Sequence, residues 1–194
     1  MDMQGSRILA ITQQQAWEAL NDPAVLKACI PGCDKVELAG ENRYAMAMAL
    51  KIGPVAARFT GTITLSDIQP PHSYTLAFEG QGGAAGFGKG SAQVKLGPPA
   101  DSAGCELAYT VHASVGGKVA QLGQRLVDGA AKSMAEDFFR RFDAAMQQQY
   151  PQAYAEKAPT QTAAAQPARG VPFWVWIAAA LALTAGAAWL IGRG

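Results

Sequence analysis

The chain has 194 residues, and its 16 Lys and Arg nearly balance its 15 Asp and Glu, for a formal net charge of +1. With no basic run ahead of the C-terminal apolar stretch, it lacks the electrostatic footprint of a nucleic-acid binder. Once that stretch is set aside, about 150 residues remain, one domain of ordinary size that can bury a real core.

The N-terminal MDMQGSRILAI has no positive segment followed by an apolar one, so no signal peptide is expected. Met3 to Thr12 is predicted as a first strand. Gln13 to Leu20 has helical character, with Ala16, Trp17 and Leu20 at helical spacing. Asn21 and Asp22 end it, and Pro23 suits the first position of a second short helix reaching about Ala28. Pro31-Gly32 marks a turn.

Strands follow. Lys35 to Leu38 is short. In Arg43 to Ile52, Tyr44, Met46, Met48, Leu50 and Ile52 share one face. In Val55 to Ile68, Ala57, Phe59, Gly61, Ile63 and Leu65 oppose Arg58, Thr60, Thr62 and Thr64. One wet face is the habit of antiparallel sheets. Ser73 to Glu79 is the next strand, followed by GQGGAAGFGKG (Gly80 to Gly90). Ser91 to Leu96 and Glu106 to Val115 complete the set, with a turn around Pro98 to Gly104. A long helix is predicted from Lys118 to Gln149. Val119, Leu122, Leu126, Ala130, Met134, Phe138 and Phe142 form its apolar stripe, widened by Val127, Ala131, Ala135 and Phe139.

Residues 151–170 are rich in Ala, Gln, Pro and Thr and read as a flexible linker. Val171 to Ile191 carries no charge, and as a helix it is long enough for a hydrocarbon core of roughly 30 Å. Trp174, Trp176 and Trp189 stand where aromatic belts form. The expectation is a transmembrane helix over 171–192, anchoring domain 1–150 by a single C-terminal pass. The domain is placed on the cytoplasmic face of the inner membrane. In that compartment Cys29, Cys33 and Cys105 are expected as free thiols. No further ligands accompany Cys29 and Cys33 in sequence, so no metal site is assigned.

The element order is strand, two short helices, antiparallel strands and one long helix. It predicts an α+β fold in which a curved antiparallel sheet is covered by the helix. Facing residues that are small or flexible, such as Gly129, Met46 and Met48, leave room for a cavity.

Four segments, DPAVLKACIPGC (Asp22 to Cys33), KIGPVAARFTGTI (Lys51 to Ile63), GQGGAAGFGKGSAQV (Gly80 to Val94) and VGGKVAQLGQRLVDGAAKSMAEDFF (Val115 to Phe139), match a known pattern in order. The chain resembles the carbon monoxide dehydrogenase G-subunit family, within the helix-grip superfamily of START and Bet v 1-like (SRPBCC) domains. The resemblance implies a helix-grip fold and a non-catalytic accessory protein. It implies recruitment of a cytoplasmic molybdenum hydroxylase to the membrane, and an apolar ligand such as quinone linking that enzyme to the respiratory chain. The implied partners are therefore the hydroxylase subunits, membrane lipid and quinone, with no covalent cofactor. A membrane-tethered lipid-binding protein and a maturation factor for the hydroxylase are the alternatives.

Candidate ligand-binding residues are Met46, Met48, Leu50, Phe59, Phe78, Leu122, Leu126, Gly129, Met134 and Phe138. The glycine-rich segment lacks the phosphate-loop spacing and leads into a strand. It reads either as a flexible connection or as a lid and docking surface, with Gly82, Gly83, Phe87 and Lys89 as candidates, and Arg125 on the long helix is a separate candidate for meeting a partner or capping a pocket. His72 and His112 have no nucleophile or metal-ligand spacing beside them, so no catalytic residue is assigned.

Overall fold

A computed structural model describes residues 1–100 and 103–157, which fall within a compact unit bounded by Met1–Ala158. The sequence from 158 onward, with Trp174, Trp176, Trp189 and the expected membrane helix, lies outside the described residues. Among those that are described, no helix is long and apolar enough to cross a membrane.

The chain opens with β1 (Asp2–Leu9), shorter than expected because Thr12 is used as a helix cap. The Thr12 hydroxyl accepts from the Gln15 amide, and the Gln15 side chain accepts from the Thr12 amide. This reciprocal box starts α1 (Gln13–Leu20). Asp22 caps α2 (Pro23–Cys29), with Pro23 in the first turn where it costs no hydrogen bond.

The meander then runs β2 (Cys33–Gly40), β3 (Arg43–Ile52), β4 (Val55–Gln69), β5 (Ser73–Gln81), β6 (Phe87–Gly97) and β7 (Cys105–Gly116). The seven strands form one antiparallel sheet in the order β1-β7-β6-β5-β4-β3-β2. The first strand thus pairs beside the last, from Asp2↔His112 to Leu9↔Cys105.

Behind the sheet come a short α3 (Lys118–Gln121), a long α4 (Gln124–Gln149) and α5 (Pro151–Lys157). This is the helix-grip arrangement. At the end holding α1, the helix α4 supplies Phe142 and Met146 to a core with Leu9, Ile11, Cys105 and Leu107. At the other end a smaller cluster joins Ala85, Val119 and Val127.

Three departures from the sequence reading concern elements. The glycine-rich segment is not an open connection: β5 and β6 pair through Gly80↔Gly88 and Gln81↔Phe87, leaving a 3-10 turn at Gly83–Ala85 between them. The helix expected from Lys118 is interrupted at Gly123, whose φ of +90° is open to glycine and strained for other residues. The stretch after 150 starts as α5, because Ala153 and Tyr154 pack on the core and the Tyr154 hydroxyl donates to Asp143 at 3.2 Å.

Candidate functional site

Strand alternation decides what faces α4. Along β3, Tyr44, Met46, Met48, Leu50 and Ile52 point inward, and along β5, Tyr74, Leu76 and Phe78 do. The outward positions carry Thr60, Thr62, Glu79 and Lys89. The space between the inward face and the helices is not filled. It holds an upper chamber of about 200 Å³, a middle one of about 390 Å³ and a lower one of about 280 Å³.

The chambers adjoin. Ile52, Phe78, Val115 and Val119 line both the upper and the middle chamber. Met3, Ile30, Ala135 and Phe138 line both the middle and the lower. Adjoining through these shared walls, they form a run of apolar chambers, a channel in the size range that holds drug-sized ligands.

Glycine creates the upper chamber. Gly61, Gly80 and Gly88 lie in a row across β4, β5 and β6 as register partners, and all three line it. Neighbouring strands are about 4.8 Å apart, so the row gives roughly 10 Å of floor without a side chain. A Cβ at Gly80 would stand 3.7 Å from its nearest neighbour, and one at Gly88 3.9 Å, so these two border open space, whereas one at Gly61 would collide with the β5 backbone at Glu79 and Gly80. Glycine within strands often marks such a close approach of another group.

Nearby rings are laid flat on other glycines. The Phe59 ring passes 2.6 Å from where a Gly82 Cβ would project, and Phe78 passes 2.8 Å from that of Gly90. An alanine at Gly82 would push the Phe59 ring aside, whereas one at Gly90 would first collide with the β7 backbone at His112.

The structure therefore brings Met46, Met48, Leu50, Phe59, Phe78 and Phe87 together around the upper chamber. Met134 and Phe138 join Phe78 at the middle one. Phe87, 46% exposed, stands at the rim. Lys89 is exposed and touches the edge of the middle chamber. Gly82 is the seat of the Phe59 ring, while Gly83 takes φ +57° in the exposed turn.

Three expected wall residues stand elsewhere. Gly129 is exposed, with nothing within 4 Å of its Cβ position. Leu126 is 44% exposed and reaches toward the Gly53 turn. Leu122 follows α3 and lines none of the three chambers. The break at Gly123 separates Leu122 from the register of α4, which turns Val127, Ala130, Ala131 and Met134 inward instead. Arg125 lies on the exposed side of α4.

Sequence reasoning missed Gly80, Gly88, Val115 and the tyrosines. The glycines carried a signal, because each falls on the inward phase of its strand, but they read as part of a loop.

The walls are mainly alkyl, thioether and aromatic groups; Thr60 and Glu79 border the upper chamber, Lys89 and Ser114 the middle one, and Tyr44, Tyr74 and Tyr109 the lower one. Burial, and secondarily the neighbouring Tyr44, raises the Tyr74 phenol well above the ordinary tyrosine range. The histidines lie apart from the channel walls. His112 pairs with Asp2 at 2.6 Å on the outer face, and His72 meets the Gln13 amide at 2.8 Å. A depression of about 730 Å³ on the outer face is larger than any chamber. Its walls are Thr62, Thr64, Glu79, Lys89 and Ser91, wet and unenclosed, so the smaller apolar channel is the better ligand site.

Solved structures share this architecture. A conserved protein from Geobacillus kaustophilus is 36% identical, with a TM-score of 0.71 over 76% of this chain and 96% of that one. A putative uncharacterized protein from Rhizobium leguminosarum is 14% identical, with a TM-score of 0.58 over 76% and 95%. The Zhui aromatase/cyclase from Streptomyces sp. R1128 is 12% identical, with a TM-score of 0.56 over 76% and 94%. These last two likenesses bear on the fold alone. A search of curated proteins finds no match. The family model of the carbon monoxide dehydrogenase G-subunit, CoxG, matches residues 5–147. The chain belongs to the CoxG family of carbon monoxide dehydrogenase.

Proposed function

We propose that this protein is a non-catalytic accessory of a carbon monoxide dehydrogenase-type molybdenum hydroxylase. It holds the enzyme at the membrane and carries an apolar ligand, quinone, between membrane and enzyme. The observation that carries the ligand reading is the run of adjoining apolar chambers with its glycine floor. A core built only for stability fills such space, since empty volume costs about 24 cal/mol per Å³. Family membership supports the hydroxylase as partner. The uncharged Val171 to Ile191 supports attachment to a membrane, and the reading places the domain on the cytoplasmic face of the inner membrane.

The recruiting role is tested by deleting the gene and fractionating the cells. The hydroxylase should move from the membrane to the soluble fraction while keeping its activity with a soluble artificial acceptor. An enzyme that stays membrane-bound contradicts recruitment. An enzyme that loses its own activity identifies a maturation factor instead.

A further inference from the structure

The channel is apolar along most of its length; Thr60 and Glu79 edge the upper chamber, Lys89 and Ser114 the middle one, and three tyrosines line the lower one. In the lower chamber Tyr44 and Tyr74 stand together, and Tyr44 adds to the burial that raises the Tyr74 phenol. Tyr44 already donates to the Asn21 carbonyl at 3.2 Å. The Tyr74 hydroxyl has no such partner among the described residues, although Tyr74 is only 6% exposed. Yet no side-chain oxygen among them is both sealed and unpaired. The Tyr74 oxygen therefore borders open space, and the space that Tyr74 lines is the lower chamber.

A hydroxyl that opens onto a chamber without a protein partner is free to donate to a ligand acceptor. Tyr74 can supply the proton, because burial keeps its phenol neutral across the physiological range. Its ring is fixed from behind by Trp17, in an edge-to-face contact with centroids 5.5 Å apart. A phenol held in this way is a directed donor.

We infer that Tyr74 is the polar anchor of the channel, donating a hydrogen bond to a carbonyl oxygen on the head of an elongated apolar ligand. The chain of that ligand runs through the middle chamber, past Phe78, toward the rim at Phe87. The inference rests on the proposed ligand-carrying role and adds the ligand's direction: head at the tyrosines, tail over the glycine floor.

The test uses the full chain in lipid nanodiscs and decylubiquinone labelled with carbon-13 at its carbonyls. Binding is measured as the excess over empty nanodiscs. The infrared carbonyl band of the bound quinone reports its hydrogen bond. Tyr74→Phe removes the hydroxyl and keeps the ring against Trp17. It should weaken binding by roughly three- to tenfold, the worth of one net hydrogen bond. It should also return the carbonyl band toward its position in apolar solvent. Tyr109→Phe, a second hydroxyl deletion in the same chamber, is expected to leave the band shifted. A variant with unchanged affinity and an unchanged band overturns the placement. So does loss of the band shift in Gly88→Ala but not in Tyr74→Phe, which puts the head on the glycine floor. If the wild-type chain binds no decylubiquinone above empty nanodiscs, the quinone-carrying reading itself falls, and the anchor with it.

Discussion

Replacing Gly88 with leucine separates an empty chamber from ordinary core. Gly88 sits at the β6 end of the glycine row on the floor of the upper chamber, and its Cβ position has no neighbour nearer than 3.9 Å. Its backbone φ lies outside the positive range, so a side chain adds no backbone strain. A leucine would project four carbons into a chamber of about 200 Å³. If that space is empty, burying them yields up to roughly 2–3 kcal/mol at about 0.8 kcal/mol per methylene. Removing a strand glycine adds about 0.5–1 kcal/mol. For a chain of this size each kcal/mol moves the melting temperature by about 2–4 °C. The melt of ligand-free protein should therefore rise by several degrees, while the stabilisation given by added decylubiquinone disappears. The assay is a melt of wild type and variant, each with and without the quinone. A lower melting temperature, matching the roughly 1–3 kcal/mol cost of overpacking, would refute the cavity argument. Undiminished stabilisation by quinone would remove Gly88 from the ligand path.

Other outcomes follow from the same geometry. Gly82→Ala should tilt the Phe59 ring into the upper chamber, since the new Cβ would lie 2.6 Å from it; quinone affinity should fall while circular dichroism stays native. Tyr154→Ala should cost roughly 1–2 kcal/mol in a denaturant titration, because α5 packs on the core through that residue. The His112 hydrogen bond, foremost, lowers the Asp2 carboxyl below its ordinary 3.8. The support this gives β1 is present above that pH and fades as pH falls through the depressed value. Hydrogen exchange at Met3 and Gly5 should accelerate there, and Asp2→Asn should abolish that dependence.

Strand faces were the most legible feature, since Tyr44 to Ile52 and Phe59 to Leu65 alternate cleanly and the register keeps that alternation. The long apolar stripe also announced a covering helix. What the stripe hid was its interruption: Leu122 continues the spacing across Gly123, and only the backbone shows that the glycine takes a positive φ there. The break displaces Leu122; on α4 itself Ala130, Met134 and Phe138 keep the expected phase beside Val127 and Ala131, while Leu126 and Gly129 are exposed near its first turns. The row Gly61, Gly80 and Gly88 was obscure for a different reason. Its meaning depends on pairing between strands, and composition alone makes Gly80 to Gly90 look like a loop. Likewise, the Ala- and Gln-rich sequence after 150 masked Tyr154, whose role depends on a contact with Asp143.

The central claim, that the channel carries quinone to the hydroxylase, is tested most directly by electron transfer. Membranes from the deletion strain are supplied with the purified hydroxylase, its substrate, and either wild-type protein or Gly88→Leu, and quinone reduction is followed. Wild-type protein should accelerate quinone reduction, Gly88→Leu should not, and the rate with a soluble artificial acceptor should be equal in both. Equal quinone reduction with and without the protein, or with its channel filled, would contradict the claim.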